Sequence, residues 1–422
     1  MRLLRFGICA LVVFAVAAHG GVEDWARAVF ETGVGLLFLA WALWIYFNPE
    51  EQIVFSPLLP PLAAFSLVVC GQWLFHGTAS SYNTRTELQL LVSDLILLFL
   101  AVQAFRTLQD WRGFVWFGMV FGFLIGIFGI LQHLTFNGKL YWFREMRYGG
   151  IPFGPYVNRN HFAGFVELIL PLSLVPLVLG RVRRERWPVV GVFAVVPIGA
   201  LFLSVSRGGI VSFGVELAVL ALVMIQRRTA GRQLFASGAV FLLALLMVSW
   251  LGVGQLLQRF SSFQSLEATA GKRASMRHDT WQIFLQHPIA GTGLGTLQIV
   301  YPRYESLYDG KIVNHTHNDY LEALAETGIL GGLCCAWFLS VLFSESVRRL
   351  RQDNHSFAGT LQISGLVACA GFLVHSLVDF NLHIPSNAFL FFLMAHLASS
   401  AIKATAPESN PLQSRRRIPR NH

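Results

Sequence analysis

The chain has 422 residues, of which 54% are hydrophobic and only 13% charged, about half the charged share of a soluble domain, so it has too few polar groups to cover a water-facing surface. Its apolar runs, such as 113–134 and 234–253, reach the roughly 20 residues that cross a bilayer and are too long and unalternated for barrel strands. The formal net charge of +9 reads as topological charge on cytoplasmic loops, which excludes a nucleic-acid footprint as its main cause.

The composition predicts an all-α, polytopic membrane fold of about twelve spans. In chain order they fall near residues 5–20, 25–47, 53–75, 86–105, 113–134, 161–180, 187–205, 209–226, 234–253, 319–346, 358–378 and 384–402. Arg2 and Arg5 precede the first apolar run, and Ala15-Val16-Ala17 resembles a signal-peptidase site. A retained first helix is the expectation, and either reading puts Gly20 outside. With the N-terminus in the cytoplasm, every second loop except 48–52 is basic: Arg106 and Arg112; Arg181, Arg183, Arg184 and Arg186; Arg227, Arg228 and Arg232; Arg348, Arg349 and Arg351. Two loops on the opposite face are longer, 135–160 and 254–318. The second holds an amphipathic stretch, 276–287, whose Trp281, Phe284 and Leu285 share one helical face suited to the outer leaflet.

This divides the chain into one transmembrane domain, 1–403, which includes the long loop 254–318, and a polar, disordered cytoplasmic tail, 404–422. Cys9, Cys70, Cys334, Cys335 and Cys369 all fall in or beside apolar runs without metal-ligand spacing, and read as packing residues.

The polar residues most expensive to place fall on the extracytoplasmic side: Asn158-Arg-Asn-His161, Ser204-Val-Ser-Arg-Gly-Gly209, Arg277, Asn314-His-Thr-His-Asn-Asp319 and Asp379-Phe-Asn-Leu-His383. Arg207 sits in a short connection before a helix N-terminus, a natural phosphate site; the plain alternative is an Arg snorkelling to the interface. His315, His317 and Asp319 lack the i, i+4 spacing of a helical zinc site. A general base, oriented by Asn318 or Asp319, is the main chemical reading; helix capping is the plain one and metal the minor one. Glu322 and Glu326 follow at helical spacing and line the start of the next span, facing protein or water; Glu167 and Glu216 fall within spans, as relay groups or satisfied buried hydrogen bonds. Arg259, Lys272, Arg273, Arg303 and Lys311 form a positive rim around the long loop.

Taken together, Asn158-Arg-Asn-His-Phe-Ala-Gly164, Ser206-Arg-Gly-Gly209, Gly291-Thr-Gly-Leu-Gly-Thr296, His315-Thr-His-Asn-Asp-Tyr-Leu-Glu322, Glu326-Thr-Gly-Ile-Leu-Gly-Gly332 and Asp379-Phe-Asn-Leu-His-Ile-Pro385 resemble the O-antigen ligase and polymerase-like family of membrane glycan transferases. The resemblance covers most of residues 110–400. It implies a GT-C-like fold and metal-independent, inverting transfer of a glycan from undecaprenyl diphosphate at the periplasmic face of the inner membrane, without a cofactor. The acceptor is lipid A–core in ligases, a growing glycan in polymerases and protein hydroxyls in oligosaccharyltransferases. It assigns the catalytic His to His317 and the essential arginines to Arg207 and Arg277. Substrate binding falls to Arg159, Asn160, His161, His315, Asn318 and Asp319.

A ligase acting on lipid A–core is the leading expectation, with a polymerase or protein oligosaccharyltransferase of the same family second. A transporter is the alternative from another class. It would place its key groups near the midplane, whereas this chain gathers them on one face.

Overall fold

The computed structural model describes residues 1–145, 151–227, 231, 263–352 and 356–403. Among them the chain is helical, without a strand. The longer helices are α1 (Arg2–Ala17), α2 (Asp24–Tyr46), α3 (Leu59–Leu74), α4 (Ser81–Ala104), α5 (Leu108–Leu134), α6 (Arg159–Ile169), α7 (Pro171–Val178), α8 (Trp187–Leu203), α9 (Arg207–Gln226), α10 (Phe263–Gln286), α11 (Asp319–Gln352), α12 (Phe357–His375) and α13 (Pro385–Ser399). Among the described residues, seven helices are long and apolar enough to cross a membrane, or eight if the bent pair α6–α7 counts as one span. The chain is a multi-pass membrane protein.

The expected spans at 5–20, 53–75 and 384–402 appear as shorter helices, of 16, 16 and 15 residues. The expected span at 234–253, Arg259 and the tail 404–422 lie outside the described residues. The predicted span at 161–180 breaks by 41° after Ile169. Pro171 opens the second half, where a missing N–H and a fixed φ favour a new helix start.

Local chemistry explains several helix starts. Thr107 and Asp110 make a reciprocal capping box at α5. Ser80, Ser206 and Ser356 each accept a backbone N–H as N-caps of α4, α9 and α12. In α11, Gly328 breaks the helix with φ of 63°.

The helices sort into an inner and an outer set. Every residue of α7 and α13 is buried, as expected for central helices, and the polar groups of α13 at Asn387 and Ser399 are hydrogen-bonded there. In α2, by contrast, Leu36, Leu39 and Leu43 are more than half exposed and offer a lipid-facing surface.

Two ends of the bundle are distinct. Arg5 pairs with Asp110. Leu108 and Arg106 exchange backbone hydrogen bonds with Lys403 at 3.0 and 3.1 Å. Arg349 reaches the carbonyl of Ser399, and Arg112 lies over Phe357. These basic loops therefore share one end. At the other, Gly20 accepts from the N–H of Ser386, Tyr141 donates to Ala17, and His19 meets Pro155. The polar motifs gather at this second end.

Candidate functional site

The loop between α12 and α13 is the centre of the site. Asp379 is 1% exposed, and four groups converge on its carboxylate. The Phe380 N–H donates to Oδ1 at 2.9 Å, and His317 Nδ1 stands 3.2 Å from the same oxygen. Asn160 Nδ2 donates to Oδ2, and His161 Nε2 lies 3.8 Å from Oδ1. Burial favours the neutral acid, but the hydrogen bond and charge of His317, with the charges of His161 and His375, hold Asp379 well below the usual carboxylate range.

This arrangement fixes the tautomer of His317. An ionised Asp379 accepts a proton at Nδ1, leaving the Nε2 lone pair free to act as a base. The His317 side chain is 25% exposed, so the ring is open to solvent in part. The residue is held with φ of +55°, a left-handed conformation that costs a non-glycine residue on the order of 1 kcal/mol and often marks functional positions.

Phe380 is the hub for the imidazoles. Its ring stacks on His315 with centroids 4.2 Å apart and meets His161 and His317 edge-on at 4.7 and 5.0 Å. The approach of α6 depends on Gly164, where a Cβ would lie 2.5 Å from Asn381 Oδ1. Asn387 secures the same junction, donating to the His161 carbonyl at 2.9 Å and accepting from Tyr156 at 3.0 Å.

His315 belongs to a neighbouring cluster. Its Nδ1 lies 2.7 Å from Glu322 Oε1, and His383 Nε2 lies 3.3 Å from that oxygen. Asp319 Oδ1 accepts from His383 Nδ1 at 2.9 Å, and Thr316 N–H donates to Glu322 Oε2 at 2.8 Å. Burial works against a charged imidazole at His383, but Glu322 and Asp319 outweigh it and raise the group to about 10.

The reading that Asn318 or Asp319 orients His317 is corrected here. Asn318 Oδ1 accepts from Leu321 N–H at 3.0 Å at the start of α11, while its amide reaches the Leu377 carbonyl. Asp319 serves His383. The partner of His317 is Asp379, 62 residues away in the chain, a separation that sequence spacing does not reveal. The Asp379-Phe-Asn-Leu-His383 motif was the available signal.

The arginines approach from two helices. Arg207 is the first residue of α9, behind the Ser206 N-cap, whose hydroxyl accepts from Gly209 N–H at 3.2 Å. Val205, just before, has φ of +53°. The turn seats closely on buried partners. A Cβ at Gly208 would lie 2.6 Å from His375 and one at Gly209 2.6 Å from Ala163. His375 in turn meets Glu167 at 2.8 Å, with both side chains fully buried. Glu216 is also fully buried, against Gly371.

On α10, Arg273 donates to the Val378 carbonyl at 3.2 Å, and the Thr280 hydroxyl meets that of Thr316 at 3.0 Å. Arg277 stands between these positions at i+4 from Arg273, hence on the same helix face. That face turns toward the two loops carrying His317 and Asp379. The opposite side is fixed by buried Asp279, which accepts from Tyr301 and Ser306. Arg159 opens α6 beside Asn160. Neither Arg159 nor Arg277 has a side-chain hydrogen bond or ion pair among the described residues.

An apolar cavity of about 360 Å³ adjoins the site. Leu62, Phe65, Leu91, Leu339 and Phe392 line it, as do Asp319 and His383.

The glycine-rich motif has a structural role. Glu326 accepts the backbone N–H groups of Gly295 and Leu297 at 2.8 and 2.7 Å. Its own carbonyl accepts from Gly293 and from the amide of Gln72. The kink at Gly328 lets residues 288–289 pair with 329–330.

Residues 171–336 match the family model described as O-antigen ligase. This part of the chain is similar to the O-antigen ligase family. The ligase-family match includes Arg207, Arg277, His315, His317, Asn318 and Asp319, whereas the residues that complete the geometry, 158–161 and 379–383, flank it. A comparison with curated proteins returns no match. That likeness supports a function in glycan transfer.

Proposed function

We propose that the protein is an O-antigen ligase, transferring a glycan from undecaprenyl diphosphate to lipid A–core at the periplasmic face of the inner membrane. The observation that carries the reading is the His317–Asp379 pair, against which Arg273 ties α10 at Val378, in and around the stretch that matches the ligase model.

In this mechanism His317 Nε2 takes the proton of an acceptor hydroxyl as its oxygen attacks the anomeric carbon. Asp379 stabilises the imidazolium that forms. The bond from that carbon to the diphosphate breaks, and its electron pair leaves with the diphosphate oxygen. Attack opposite the leaving group inverts the anomeric centre. Arg207 and Arg277 neutralise the departing charge, with N–H groups at the start of α9 in support. Arg159, Asn160, His161, His315, Asn318 and Asp319 frame the substrates. The diphosphate is already a good leaving group, so the step itself requires neither cofactor nor metal ion. The apolar cavity accommodates part of the isoprenoid chain, and the domain extends over residues 1–403.

Reconstitution with an undecaprenyl-diphosphate glycan and rough lipid A–core tests the proposal. The expected result is glycan on lipid A–core. Extension of the carrier-linked glycan instead would identify a polymerase, and transfer to protein an oligosaccharyltransferase. Uptake or flipping without transfer would place the chain among transporters.

A further inference from the structure

We propose that His315, Glu322 and His383 form a binding site for one first-row divalent cation, best suited to zinc, beside the His317–Asp379 pair. One ligand atom from each of the three residues lies within 4.8 Å of the others. Two imidazole nitrogens and one carboxylate oxygen suit zinc and disfavour the oxygen-seeking calcium and magnesium.

The residues around the cluster turn these atoms inward. Asp319 Oδ1 holds His383 Nδ1 at 2.9 Å, so Nε2 faces Glu322 and becomes a ligand by releasing its proton to solvent as the ion binds. The Thr316 N–H holds Glu322 Oε2 at 2.8 Å, leaving Oε1 to face both imidazoles. Phe380 stacks on the His315 ring at 4.2 Å. A carboxylate on the remote nitrogen of a ligand histidine is the common supporting shell of metal sites.

The spacing is close to what a tetrahedral ion needs. Metal–ligand bonds of about 2.0–2.1 Å put ligand atoms about 3.3 Å apart. His383 Nε2 and Glu322 Oε1 are 3.3 Å apart. His315 Nδ1 is closer, 2.7 Å from Glu322 Oε1, so its partly exposed ring must withdraw by roughly half an ångström to admit the ion. Three protein ligands leave the fourth position for water. The ion would join the segment before His317, the start of α11 and the segment after Asp379. It would thus clasp the two loops that hold the proposed base and its partner, without touching the reacting atoms.

The test uses the purified full-length protein, stripped with EDTA and titrated with Co²⁺ in detergent, with Zn²⁺ as competitor. Wild type should bind one Co²⁺ per chain, with the visible absorption bands of a tetrahedral site, and release it to one equivalent of Zn²⁺. Zn²⁺ should also raise the Tm. Glu322→Gln and His315→Ala should lose the tetrahedral bands, and Asp319→Asn should weaken binding about 10–100-fold. His317→Ala should bind as wild type does. Absence of stoichiometric binding in wild type, or equal binding in Glu322→Gln and His315→Ala, overturns the site. Because partly exposed His315 is the variant least demanding of the fold, its result decides the matter if Glu322→Gln does not fold. Co²⁺ binding by a protein inactive in transfer leaves the ion site standing; transfer without ion binding leaves the ligase reading standing.

Discussion

His317 is the residue on which the proposed transfer mechanism turns. Its left-handed backbone and its contact with Asp379 together aim one ring nitrogen outward. His317→Ala is expected to fold and to lose transfer by about 10²–10⁴-fold, the range for a positioned acid or base. His315→Ala should lose less, because that ring faces Glu322. Rate measurements on monodisperse variants check both, and wild-type transfer by His317→Ala would remove it as the base. Asp379→Asn should cost a similar factor by favouring the wrong tautomer. It should also change acid stability. Asp379 is held below its ordinary range in the folded protein, so its contribution is present above an unfolded value of about 4 and fades as pH falls toward the folded one. The Tm gap between wild type and Asp379→Asn should therefore be widest above about pH 4 and narrow below it. A constant gap from pH 7 to pH 3 would show that the Asp379 charge is not linked to folding. The imidazoles themselves were legible in the sequence as a motif. Glu322, the partner of His315, lies in that same motif, whereas Asp379, the partner of His317, was legible only as a further motif 62 residues away.

At the scale of elements, two helices deliver arginines. α9 begins at Arg207, and α10 lies with Arg273 and Thr280 against the site loops, which brings Arg277 to the same face. Arg207→Ala and Arg277→Ala should each reduce turnover by roughly 10²–10³-fold, the loss seen on removing an aimed charge-stabilising group. Lys should rescue only in part, because it lacks the planar fork. Transfer assays at saturating donor separate this loss from simple weakening of binding, and full activity in both Ala variants would remove the diphosphate clamp. The amphipathic stretch expected at 276–287 forms the end of α10, with Trp281 and Leu285 exposed. The interlock between the glycine-rich loop and α11 was not legible. Glu326 read as a span-lining acid, yet it accepts two loop N–H groups. Glu326→Ala would orphan them, at about 1–3 kcal/mol each. Gly328→Ala should be worse, as its Cβ would lie 2.2 Å from the Ile289 carbonyl oxygen at a positive φ. Thermal unfolding in detergent should show both losses, and an unchanged Tm for Gly328→Ala would contradict the packing at the kink.

At the scale of the whole molecule, hydropathy and the alternation of basic loops made the layout legible. Arg5, Arg106, Arg112 and Arg349 lie at one end, and the site lies at the other. If the basic end is cytoplasmic, a cysteine at exposed position 311 should be labelled from the periplasm, and one at exposed position 183 only after the membrane is opened. The reverse pattern would invert the protein. The acceptor is a question at this same scale, because ligase and polymerase would share the donor site and the base. On the proposed ligase reading, recognition of lipid A–core comes from the surface around the site. Within the expected basic rim, Lys272 is paired with Asp309 and Arg273 is tied to Val378. Arg303 and Lys311 remain exposed and suit the phosphates of lipid A–core. Replacing both with Ala should weaken acceptor use, raising the KM for lipid A–core with little change in that for the donor, and added salt should narrow the difference from wild type. Deleting the gene distinguishes the two reactions in the cell. A ligase mutant should keep carrier-linked polymer and lose polymer on lipid A–core, whereas a polymerase mutant should carry single repeats on the core. Single repeats on an otherwise capped core would overturn the ligase assignment and leave glycan transfer intact, because the acceptor would then be a growing glycan drawn to the same base.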